Sequence, residues 1–169
     1  MSVDAVSSPA SAILNPFARF TRALFGLVPA SLALLVLRLT LAMPFFKSGL
    51  TRWDGWFTLS FGAKTLFADE YRVHLFGHEF PFPEPELAAA MASTAEIVLP
   101  VLLAFGFLTR YAAFGLLCMT AVIQLVYPDG WQNFHLPWAA MALAIMAFGP
   151  GRISLDRLLG LDGGGRRAS

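Results

Sequence analysis

Two charges lie where charges are costly. Arg38 and Glu96 each interrupt an apolar run long enough to cross a bilayer. Each stands about ten residues from the end of its run, which at about 1.5 Å per residue places both near mid-bilayer. An unpaired charge at that depth costs at least about 3 kcal/mol on insertion scales. The two runs follow each other in the chain, so as antiparallel neighbours they predict an Arg38–Glu96 contact. Such a pair reads in two ways: a clamp that fixes helix register, or a site for a proton, an anion or a polar headgroup. Two prolines add to it. Pro44 frees the carbonyl of Thr40 and Pro100 frees that of Glu96, because proline lacks the N–H that the residue four earlier would bond. Thr120 and Gln124 stand about one turn apart on the third run. Together Arg38, Thr40, Glu96, Thr120 and Gln124 predict an intramembrane polar pocket that opens toward the outer face. Ordinary interhelical hydrogen bonding accounts for the same residues.

Toward the outer ends of the runs, Lys47, Arg52 and His135 are candidates on the outer face. His74 and His78 are four apart with Glu79 beside them, a spacing that would let them bind copper or zinc if 71–79 were helical. Gly77 and Pro81 weaken that helix, and interfacial or hydrogen-bonded histidines are the plainer reading. Other chemistry is disfavoured. His135 only opens the fourth run, and no histidine lies deeper in a run to serve as an axial haem ligand. The single Cys118 gives no dithiol relay or Cys-rich metal site. No phosphate-binding glycine loop or dinucleotide fingerprint occurs.

The elements that position these residues follow from composition. Hydrophobic residues are 57% of the 169 and charged residues only 14%, against about 25% charged in an ordinary soluble domain. Mean hydropathy is +0.64. A net charge of +1 gives no reason to expect nucleic acid. Four runs qualify as spans, about 29–50, 87–108, 111–127 and 131–148. The linkers after the second and third are very short, so neighbours must be antiparallel. The sequence therefore predicts an all-α membrane protein, an up-and-down bundle of four transmembrane helices over 13–160, with an outer loop at 51–86. Disordered ends are expected at 1–12 and 161–169. Within 15–27, Phe17, Phe20 and Leu24 share a helical face away from Arg19 and Arg22. That predicts a short interfacial helix before the bundle or a frayed extension of the first span. The first run is too long for a cleaved signal peptide and carries Arg38. The alanine-rich fourth run reads as close packing. One side of the bundle would hold seven arginines against three aspartates. The other would hold four basic residues against seven acidic ones. By the positive-inside rule both termini are expected in the cytoplasm of a bacterium, with the bundle in its inner membrane.

The motifs resemble those of the DoxX family of small bacterial membrane proteins. The resemblance rests on LRLTLAMPFFKSGLTRW, LFADEYRVHLFGHEFPFPEP, ASTAEIVLPVLLAFGFLTRYAA, VIQLVYPDGWQNFHLPW and FGPGRISLD, in that order, over roughly residues 30–157. The family usually carries a lysine after its Ser-Gly pair; here Arg52 stands near that position and Lys47 precedes the pair. The resemblance implies four membrane helices. It also places Arg38, Ser48, Gly49, Glu96, Thr109, Arg110 and His135 on recurrent family positions. Thr109 and Arg110 are expected to form a tight inner turn. Some relatives are subunits of thiosulfate:quinone oxidoreductase, and others associate with superoxide dismutase and a sulfurtransferase.

The function expected from these readings is an accessory or anchoring subunit of a redox, sulfur-oxidation or oxidative-stress system. It is at most a non-autonomous part of a quinone-linked oxidoreductase. Its partners would be the lipid bilayer and a soluble or membrane oxidoreductase subunit. A quinone needs an apolar slot with one or two hydrogen-bond partners, which such a bundle can supply. One rival is a small carrier that uses Glu96, for which four spans suffice only in a homo-oligomer. Another is a metal-stress or assembly factor acting through the outer loop.

Overall fold

A computed structural model describes residues 20–21, 26, 28–55 and 57–161. The expected interfacial helix at 15–27 and both expected disordered ends lie almost wholly outside the described residues. Helix α1 (Ala30–Leu50) begins after Pro29, whose extended backbone and free carbonyl start the first turn. Its exposed residues Leu32, Val36, Leu39 and Met43 recur every three or four positions and form an apolar outer stripe. Its buried face carries Arg38, Leu41, Ala42, Phe45 and Gly49. A helix that shows grease outside and buries an arginine suits lipid, not water.

Helix α1 is followed by a folded loop. Strands β1 (Trp53–Gly55) and β2 (Thr58–Leu59) form one antiparallel ribbon. Ser60 then caps the short helix α2 (Phe61–Thr65) by accepting from Ala63 N–H at 3.1 Å, which satisfies a donor the first turn leaves free. A wider π-type turn covers Leu66–Glu70. A second ribbon pairs β3 (Arg72–Leu75) with β4 (His78–Pro81). Phe76 and Gly77 between them both take positive φ, 51° and 81°, as a two-residue hairpin turn of matching twist requires. The fold is thus mostly helical, with two small β-ribbons added to the expected all-α frame.

Helix α3 (Pro85–Phe105) opens on a proline, where the missing N–H costs nothing. It closes at Gly106, whose left-handed backbone (φ +70°) lets Gly106 and Phe107 N–H return to the carbonyls of Leu103 and Leu102. Helix α4 (Thr109–Val126) follows after three residues. Thr109 and Arg110 therefore begin α4. The tight turn expected there is instead Gly106–Leu108, because glycine is what allows α3 to stop. A 3₁₀ turn (Pro128–Gly130) and a π turn (Trp131–His135) lead into α5 (Leu136–Phe148). The short α6 (Leu155–Leu158) folds back under the bundle.

Among the described residues three helices, α1, α3 and α4, are long and apolar enough to cross a membrane. The fourth expected span, 131–148, is helical in two pieces, and α5 alone has 13 residues. The core is shared by Leu41 and Phe45 of α1, Leu103 of α3, Ala112, Ala113 and Leu116 of α4, and Ala142 and Ile145 of α5. Alanines at these contacts let the axes approach closely, as packing in lipid favours.

Candidate functional site

The position of Glu96 depends on how α1 and α3 are staggered. Gly49 lies against the Glu96 backbone; a Cβ there would stand 2.9 Å from the Glu96 carbonyl oxygen. Only glycine allows that approach, and it brings the preceding Ser48 to Glu96. Ser48 Oγ donates to Glu96 Oε2 at 3.1 Å. Arg52, just past the end of α1, donates from Nε to the same oxygen at 3.4 Å. Its other arm donates to the Tyr71 hydroxyl at 3.1 Å. Burial works to lower the Arg52 guanidinium, but Tyr71 and Glu96 together outweigh it and hold it above its ordinary value. Glu96 is only 6% exposed.

The expected Arg38–Glu96 contact is not made. Eleven residues of α1 separate Arg38 from Gly49, about 16 Å of helix. Arg38 instead lies opposite the end of α3. It donates to the carbonyls of Leu103 and Ile153, and Asp156 of α6 is the opposite charge that acts on it. Asp156 in turn accepts from Leu108 and Thr109 N–H, at 2.7 and 2.8 Å, and so caps α4. Aligning the two helices by their midpoints brings the charges level. The real helices are offset by about nine residues, and α3 projects toward the folded loop.

The other expected pocket residues also disperse. Thr40 is exposed on α1. Thr120 bonds back to the Leu116 carbonyl of its own helix at 2.7 Å. Gln124 bonds Pro128 O and His135 Nδ1, at 3.0 and 2.6 Å, and fastens the turn after α4. His135 is buried against Gln124 and the Trp138 ring and does not face outward as expected. Lys47 is exposed. Arg110 bonds the carbonyls of Met146 and Ala147 at the end of α5.

The paired histidines need a helix that does not form. His74 pairs across the ribbon with Glu79, and Leu75 with His78. Side chains alternate along a strand, so His74 and His78 point to opposite faces. His74 Nδ1 meets the Leu125 carbonyl at 3.1 Å, and its Nε2 lies 3.4 Å from Glu79. Among the described residues no group of three or more His, Cys, Asp or Glu side chains could hold a metal ion.

What Glu96 does border is a cleft of 610 Å³. Its polar end is made by Ser48, Arg52, Glu96 and Tyr71; its walls are apolar side chains of α1, α3, α4 and α5. The folded loop and its flanks roof that end with aromatic rings. Phe67 stacks on Tyr71 and Phe82 at 4.9 and 5.4 Å, and Tyr71 meets Tyr127 edge-on at 5.5 Å. Sequence reasoning missed Tyr71, Phe67, Phe82 and Tyr127, since ring contacts between a loop and a helix end leave no periodic signal. Arg52 and Ser48 could have been tied to Glu96 from Gly49, a glycine late in a helix that marks a close crossing.

Comparison with known proteins agrees with this frame. The DoxX family profile matches residues 33–128, from α1 through α4. The chain belongs to the DoxX family. A relative from Haemophilus influenzae, described only as an uncharacterized protein, is 31% identical over 144 residues, 78% of this chain and 86% of its own length. No solved structure matches. The matched segment contains every polar residue of the cleft, and as a DoxX protein with apolar spanning helices the chain is a membrane protein in contact with the bilayer.

Proposed function

We propose that this DoxX protein is an accessory membrane subunit that holds a lipid-soluble, uncharged molecule of the quinone class in the 610 Å³ cleft. The observation that carries this reading is the division of the cleft, apolar along its length and hydrogen-bonding at one end. A quinone ring with an isoprenoid tail fits such a slot. The polar end offers a guanidinium and a phenol hydroxyl as donors and a carboxylate as acceptor, and Arg52 and Glu96 cancel each other's charge. A neutral head with carbonyl or hydroxyl groups suits that end better than a phosphate. The chain would serve a redox, sulfur-oxidation or oxidative-stress partner and perform no chemistry alone. In the same reading, 131–148 completes a fourth crossing as 18 helical residues. The protein would sit in a bacterial inner membrane with both termini cytoplasmic and the ribbons outside.

Trp138 lines the cleft and gives a direct readout. With Trp53, Trp56 and Trp131 replaced by Phe, decylubiquinone titrated into the purified protein should quench Trp138 saturably at one equivalent. Quenching that rises linearly, as for free partitioning, would reject the proposal.

A further inference from the structure

The cleft has a roof and a wall, and both lie on the side of the folded loop. Phe67, Tyr71 and Phe82 close it from above. Val126, Tyr127 and Trp138 separate it from a second hollow, of 740 Å³, beside Glu70, Glu79 and Asp129. Tyr127 is the lining residue exposed on that side; the others exposed at the surface lie elsewhere. Met91 on α3 is 65% exposed, and Cys118 and Val122 on α4 are exposed as well.

These three residues line the same cleft. Gly115 lies against Leu99, since a Cβ there would stand 2.8 Å from a Leu99 methyl. With the helices antiparallel, that contact sets Glu96 level with Cys118 and Met91 level with Val122 and Ile123. Both helices are apolar enough to span a membrane, so a gap between them faces hydrocarbon. Of the residues that narrow it, Ala88, Ala92 and Ala95 on α3 and Gly115 on α4 are small.

We infer that the cleft is loaded sideways from the bilayer, through a mouth between α3 and α4 rimmed by Met91, Cys118 and Val122. The ligand is a membrane-dissolved amphiphile whose uncharged head passes Cys118 to reach Glu96 and Arg52, while its tail stays among the lipids. A ligand dissolved in water would meet the aromatic roof. This inference rests on the reading of the cleft as a ligand site, and it adds the route and the physical state of what is bound.

Cys118 is the only cysteine in the chain, so one nitroxide reports on the mouth without other changes. In lipid vesicles, dissolved oxygen should relax that nitroxide several-fold more than a water-soluble nickel chelate does. Equal relaxation by the chelate would mean an aqueous mouth and would overturn the inference. A second measurement leaves the polar end untouched. Met91→Phe and Val122→Phe thicken an already exposed rim and should slow decylubiquinone binding at Trp138 several-fold in vesicles. Saturable binding at an unchanged rate in these variants would reject the lateral mouth while sparing the proposed ligand. A lipid-like nitroxide in a protein with no saturable binding would do the opposite, upholding the mouth and rejecting the quinone class.

Discussion

Among the described residues two charged groups are buried in the long apolar helices, one toward each end of the bundle, and their surroundings differ. Arg38 has no exposed surface, and main-chain carbonyls of Leu103 and Ile153 receive its arms. Gly106 is pressed so close that a side chain there would run into the guanidinium. Glu96 is held by side chains alone, Ser48 and Arg52, and borders open volume. A charge bonded to backbone and packed on all sides fixes where helices stop. A charge held by movable side chains beside a cavity can exchange a partner for a ligand. Burial alone does not separate the two cases; what lies on the far side of the charge does.

The largest effect should come from the closed end. Arg38→Met leaves two carbonyls and Asp156 without their cation, at a cost of about 3 kcal/mol, and the melting temperature in detergent should fall sharply. Decylubiquinone affinity of the remaining folded fraction should hold. A variant that melts like the parent would show that Arg38 does not fasten α6 beneath α4.

The open end should respond in the reverse way. Glu96→Gln keeps the shape of the side chain and removes its charge. Stability should change little, while decylubiquinone affinity falls about tenfold, equivalent to about 1.4 kcal/mol. Thermal melts and Trp138 quenching on the same sample separate the two quantities. If Glu96→Gln instead melts as early as Arg38→Met with unchanged affinity, both charges are clamps and the contrast between the ends disappears.

A smaller effect tests the contact that sets the stagger. Gly49→Ala drives a methyl toward the Glu96 carbonyl, and backbone cannot swing aside as a side chain can. Overpacking of this kind costs about 1–3 kcal/mol, against about 1 kcal/mol gained from helix propensity. The net loss should be about 1 kcal/mol in melts, with the ligand weakened because Ser48 moves away from Glu96. An unchanged melt would mean that α1 and α3 do not cross closely at Gly49.

How far the sequence could anticipate this follows from the same residues. Apolar runs gave α1, α3 and α4 to within a few positions, because hydrocarbon imposes a length on a span. The two prolines and Arg38 and Glu96 stood out because polar groups inside such runs are rare. The stagger did not stand out. A run that is apolar throughout can slide along its neighbour without changing its hydropathy, so depth counted from run ends put Arg38 level with Glu96. Thr120 reads as pocket lining because a hydroxyl in a greasy helix needs a partner, yet its own Leu116 carbonyl serves. The cleft roof was beyond reach for another reason: Phe67 and Tyr71 come from a loop, and only the folded loop brings them over Glu96.

The smallest expected effect concerns the ribbon that carries His74 and His78, whose spacing would suit a metal only on a helix. His74→Ala removes an exposed contact to the Leu125 carbonyl and a 3.4 Å approach to Glu79. Exposed bonds of this kind contribute little, so the melt should shift by about 0.5 kcal/mol or less. Four β3–β4 residue pairs keep the hairpin in register without it. Because His74 and His78 face opposite sides, zinc or copper titrated into the parent should show no one-to-one site that His74→Ala abolishes. Calorimetry that did find such a site would mean that the ribbon rearranges around metal. The open end of the molecule would then hold two ligand sites, and the contrast with the closed end would widen.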